Sequence, residues 1–153
     1  MNEPSYPIDR ISFQLGMINC FVEMVACGVK RLALSPPVSP KDYEVIGPLS
    51  DEVAHRFDIR SALEKSLLVT DLQPEEFTHG KWSILYFADE SVYEEYLALK
   101  DRRELLETEG AYDTEARQEL SRDFMRLLSY PEAKIEERLS QPSGDSPFML
   151  VDD

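Results

Sequence analysis

A helix-rich α+β domain is what this sequence predicts, and three observations carry that reading. Five capped segments repeat their apolar residues at helical spacing. Only three short apolar runs, near 29–34, 66–70 and 82–87, read as strands. At 153 residues, with 42% hydrophobic and 30% charged side chains, the chain matches one globular domain of ordinary size. An all-α domain with incidental extended pieces is the alternative.

The first helix is the strongest local signal, running from Ile8 to Cys27. Asp9 can cap its start, and Gly28 stands where a left-handed closing residue belongs. Ile11, Leu15, Ile18, Phe21, Val22 and Val25 share a face, which Phe13, Met17 and Met24 widen past half the circumference. So wide an apolar arc predicts a helix at the centre of the domain.

Val29 to Leu34 alternates weakly and stops at Ser35-Pro36-Pro37, which predicts a strand. Four of the ten prolines and Gly47 fall within 35–49, which predicts a surface loop. A short helix opens at Ser50-Asp51-Glu52, runs to about Phe57 and resumes over 59–65. Leu67 to Thr70 and Trp82 to Phe87 are the clearest strands, with one helical turn at Pro74–Phe77 between them. That connection is near the minimum for a parallel crossover, so an antiparallel pairing is equally compatible.

Beyond Ala88 the pattern turns helical. Ser91-Val92-Tyr93-Glu94 reads as a capping box for a helix to about Glu109, and Gly110 ends it. Asp113 caps a second helix bearing Leu120, Phe124, Leu127 and Leu128, and Pro131 starts a third with Ile135 and Leu139. Residues 1–140 are thus expected to form the globular domain, with these helices over its core. From Gln141, Pro, Ser, Gly and Asp dominate and predict disorder through 153, interrupted by the apolar quartet Phe148–Val151.

Charge restricts the partners. The formal net charge is −14, with 8 Lys/Arg against 18 Asp/Glu in residues 89–153 alone. Such a surface repels phosphate backbones and anionic lipids, so neither nucleic acid nor a membrane is expected. A protein partner or a small ligand is compatible; oligomeric state is not legible. Cys20 and Cys27 lie seven residues apart, about 10 Å along a helix, too far to bridge each other. Two free thiols and an N-terminus without an export signal predict the cytoplasm.

Chemistry-bearing candidates are few. Gly16, Asn19, Cys20, Glu23, Ala26, Cys27 and Lys30 fall within about 120° on the first helix, its only face without bulky apolar groups. Glu23, Cys20 and Cys27 are the catalytic candidates there, and Asn19 is a ligand-binding one. Ser35 is a second ligand candidate, because ligands in α/β folds gather beyond strand ends. The loop at 35–40 also carries a P-x-x-P spacing able to dock an aromatic groove.

Glu52 precedes His55 by three and Glu76 precedes His79 by three, the step that aims two ligands at one metal in di-iron bundles. The second step sits in a single turn closed by Gly80, so neither metal nor cofactor is expected. The chain has no dinucleotide fingerprint, Walker loop, nucleophile elbow or C-x-x-C. Whether it is an enzyme stays open. The favoured expectation is a non-catalytic binding or regulatory protein with an acidic helical surface. The alternative is a small enzyme or ligand-binding protein with a pocket around Glu23.

Overall fold

Central to the architecture is a strand buried on both faces, Ser83–Phe87, flanked on each side by an antiparallel neighbour. The computed structural model describes residues 6–68 and 79–140. Its elements are α1 (Arg10–Ala26), β1 (Leu32–Leu34), α2 (Pro40–Arg56), β2 (Arg60–Glu64), β3 (Ser83–Phe87), α3 (Glu90–Thr108), α4 (Thr114–Leu127) and α5 (Glu132–Ser140). The sheet order is β1-β3-β2, so β1 and β2 run parallel on either side of β3 and α2 carries the chain between them. This is a split β-α-β unit. The helix-rich α+β class is therefore what the chain adopts.

Strand alternation sorts the core into two layers. Ala33, Ile84 and Tyr86 point to one face and pack with Ile18, Val22 and Val25 of α1 and Ile46 and Ala54 of α2. Leu32, Leu85 and Phe87 point to the other and pack with Val92 and Tyr96 of α3, Phe124 and Met125 of α4, and Ile135 of α5. The register agrees, pairing Leu32 with Phe87, Ala33 with Tyr86 and Leu34 with Leu85.

Local signals set several ends as expected. Asp9 accepts the Ser12 amide at 2.8 Å and caps α1, while Gly28 closes it at φ 77°. Asp113 caps α4 through the Ala116 amide at 2.8 Å, and Gly110 turns at φ 69°. The start of α3 differs: Asp89, not Ser91, is the cap, and its carboxylate accepts the Ser91 amide at 3.0 Å.

Four expectations are corrected. Residues 40–49 are not a loop but the first half of α2. Ser39 accepts the Asp42 amide at 3.1 Å as N-cap, and Pro40 takes the first helical turn, where its missing N–H costs nothing. Pro48 stands inside α2 on its exposed side and costs the helix one backbone hydrogen bond.

The second edge strand is β2 at 60–64, not 66–70, and the helix expected over 59–65 does not form. Asp58 at φ 54° breaks the chain out of α2 directly into β2. Leu67 and Leu68 are buried without strand pairing, and Val69 and Thr70 lie outside the described residues. The turn at Pro74–Phe77 and the tail from Gln141 lie outside them too.

Finally, α1 covers one face of the sheet and is not central: Gln14, Ile18, Val22 and Val25 are buried while Glu23 and Met24 are exposed. A single three-stranded face, shared with α2, needs only one stripe of each helix.

The two sheet edges are treated differently. Beside β1, Lys30 lies over the rings of Phe21 on α1 and Tyr130 beyond α4, and burial lowers the pKa of its ammonium. The Arg31 amide donates to Ser129 Oγ at 2.9 Å, and the Arg31 side chain pairs with Glu95. These contacts lace the two layers together around that edge. Beside β2, Arg60 and Ser61 are exposed.

Candidate functional site

Buried polar groups come first, because folding tolerates them only when paired. Tyr86 on β3 and Ser50 on α2 are both fully buried, and their hydroxyls meet at 2.8 Å. Burial raises the Tyr86 phenol well above the ordinary tyrosine range. The pair is closed to solvent and serves the α2–sheet interface.

A second cluster lies between β2 and α3. Glu64 accepts the Tyr96 hydroxyl at 2.8 Å and the Lys100 ammonium at 2.7 Å, while its other oxygen accepts the Ser66 amide at 2.9 Å. Tyr96 in turn accepts the Leu68 amide at 3.1 Å. The Glu64 side chain retains 12% of its exposure, and burial raises the Tyr96 pKa far out of its usual range. Glu64 and Tyr96 are thus occupied in pinning 65–68 against α3. Nothing in the sequence singled out Glu64; its partners are 32 and 36 residues away.

The residues expected from sequence to carry chemistry are placed apart from these clusters. Asn19, Cys20, Glu23 and Cys27 share one face of α1, as their spacing requires, and all four are exposed. Glu23 does not sit in a covered cleft, because that stripe faces away from the sheet and from α2. Ser35 is buried and structurally engaged: its hydroxyl accepts the Ile84 amide at 2.9 Å and donates to the Pro36 carbonyl at 3.0 Å. It thereby steers the chain around Pro36-Pro37 to the bridge between Val38 and Trp82.

Glu52 pairs with Arg56 one turn on, His55 is exposed on α2, and His79 is exposed in a turn before β3. Glu76 lies outside the described residues. No group of three or more His, Cys, Asp or Glu able to hold a metal occurs among the described residues.

What remains is surface. On α3, Glu94, Ala98, Asp101 and Leu105 follow one another at three- and four-residue steps, opposite the buried Val92 and Tyr96. Leu105 keeps 57% of its surface in solvent. Among the described residues Glu94 and Asp101 take no cation, although most basic side chains there are engaged by carboxylates, as in Arg102–Asp123, Arg122–Glu136 and Arg126–Glu132. Arg122 holds Glu136 below the usual glutamate pKa, and Arg126 does the same to Glu132. These pairs tie α4 to α3 and α5, and leave the outer face of α3 as uncompensated negative charge around an apolar side chain.

Fold and surface together define an α+β domain with two helical layers around a three-stranded antiparallel sheet and an acidic outer helix. No family model matches the chain, and neither a curated protein nor a solved structure matches it. Among the described residues no helix is long and apolar enough to cross a membrane.

Proposed function

We propose that this is a non-catalytic binding protein whose acidic α3 face receives a basic segment of another protein. The observation that supports the reading is the outward row Glu94, Asp101 and Leu105: two carboxylates without a cation among the described residues, around an exposed leucine. A basic helix carrying one or two apolar residues complements both features, the charges steering encounter and the leucine adding buried area. The net charge of −14 speaks against nucleic acid and anionic membranes as partners. Two exposed thiols suit a reducing compartment, so we place the protein in the cytoplasm. The alternative of a pocket around Glu23 gains no support from a side chain that stands exposed.

The test is anisotropy titration with a labelled amphipathic peptide of lysine and leucine. Binding is expected at low salt, weakening as salt rises, and strongly reduced in a Glu94→Lys, Asp101→Lys variant. Glu23→Lys on α1 combined with Glu44→Lys on α2, both at exposed positions, makes the same change of net charge and should bind nearly as the parent does. Equal loss in both variants would reduce the effect to bulk charge and remove the assigned face.

A further inference from the structure

We propose that β2 is the seam of a homodimer, in which two copies pair their β2 strands antiparallel about Ala62 and join two three-stranded sheets into one of six. The inference is independent of the partner assigned to the outer face of α3.

β2 has β3 on one side and, among the described residues, no strand on the other. Such an edge presents a row of backbone donors and acceptors ready to pair, which folded proteins blunt with short length, charged side chains, proline, a bulge or cover. Arg60-Ser61-Ala62-Leu63-Glu64 has neither proline nor bulge, carries its charges only at its two ends and of opposite sign, and pairs in unbroken register with β3 from Arg60↔Phe87 to Glu64↔Ser83. At the start of β1, by contrast, the Arg31 amide is taken by Ser129 Oγ and Lys30 lies over Phe21 and Tyr130, so contacts from both layers meet beside that strand. Ser61 and Ala62 at the middle of β2 are small enough for a second backbone to approach.

Charge chooses the occupant and its direction. A two-fold axis at Ala62 sets Arg60 opposite Glu64 of the second copy, and Glu64 opposite its Arg60. A parallel pairing in register would set like charges side by side. Within one chain Glu90 already pairs with Arg60 at 3.0 Å and Lys100 with Glu64 at 2.7 Å. The seam would therefore continue a row of alternating sign: Glu90, Arg60, then Glu64 and Lys100 of the second copy.

An exposed apolar side chain flanks the same edge. Glu90 and Lys100 reach the two ends of β2, so α3 runs alongside it. Leu97 lies seven residues beyond Glu90 and three before Lys100, on that flank, and keeps 39% of its surface exposed. The two-fold axis brings the two Leu97 side chains to one side of the seam. Repulsion between two acidic copies is screened beyond about 8 Å at physiological salt, so the charges nearest the seam govern, and those are complementary.

The experiment is sedimentation equilibrium of the full chain across a wide concentration range. A dimer is expected, with twice the chain mass. Arg60→Glu, at an exposed position, should raise the dimer dissociation constant at least about tenfold while leaving the helical spectrum unchanged. Glu64→Arg should weaken self-association likewise, and an equimolar mixture of the two variants should recover the dimer, since each then meets its opposite charge. If Glu64→Arg fails to fold, Arg60→Glu alone decides. A wild-type chain that stays monomeric at every concentration overturns the proposal. So does a dimer that Arg60→Glu leaves intact, which would put the seam elsewhere.

Discussion

The Tyr96 hydroxyl donates to the Glu64 carboxylate at 2.8 Å and at the same time accepts the Leu68 amide at 3.1 Å. One buried oxygen thus joins α3 to β2 and to the segment that follows it. Tyr96→Phe keeps the ring and its packing on Phe124, 6.0 Å away between centroids, but removes both bonds. The Leu68 amide is then buried without its acceptor, a loss of about 1–3 kcal/mol. Urea denaturation should show that loss with an unchanged slope; a shift under about 0.5 kcal/mol would mean that the oxygen contributes nothing.

Tyr86 and Tyr96 make stability sensitive to alkali. Burial raises both phenols above their unfolded value near 10. A group whose folded pKa is raised contributes fully below the unfolded pKa, and the contribution is lost as pH rises above it. Of the seven tyrosines, these two should stay un-ionised while the fold persists, and the protein should lose stability progressively above about pH 10. Tyrosinate absorbance followed together with circular dichroism checks this. The two buried phenols should titrate only with unfolding, and smooth titration of all seven in a native spectrum would refute it.

Two helical glycines should respond to alanine with opposite signs. A Cβ at Gly47 would stand 2.8–3.1 Å from three ring atoms of Tyr43, whose ring is held edge-on to Trp82 at 5.4 Å. Gly47→Ala must displace that ring, and overpacking of about 1–3 kcal/mol outweighs the helix-propensity gain of about 1 kcal/mol. At Gly16, on the exposed stripe of α1, nothing lies within 4 Å of the added carbon. Gly16→Ala should therefore stabilise by up to about 1 kcal/mol. Thermal melts of the two variants moving in the same direction would contradict the packing described around Tyr43.

Elements bounded by their own caps were legible. Asp9 and Gly28 mark the ends of α1, and Gly110 and Asp113 separate α3 from α4, because each makes its bond within a few residues or sets a single φ. β3 was legible because a strand buried on both faces is continuously apolar. The start of α2 is written in Ser39-Pro40, yet four prolines and a glycine within 35–49 favour a loop by composition alone. β2 was obscured by chemistry: an edge strand that ends in Arg60 and Glu64 shows no clean alternation, while Leu67 and Leu68 advertise a strand and are buried as irregular chain.

Of the surface features, the sequence by itself determined the acidic balance, the free thiols of α1 and the grouping of Asn19, Cys20, Glu23 and Cys27 on one face. Helical periodicity says which side chains share a face. It does not say which face the rest of the chain covers. Only the tertiary structure decided that the α1 stripe turns outward, that β3 lies between β1 and β2, and that Glu64 meets Tyr96 and Lys100. Those outcomes depend on burial shared among segments more than thirty residues apart. A cap or a turn is settled by neighbours within reach of one side chain, whereas a layer is settled by whichever surfaces exclude water together.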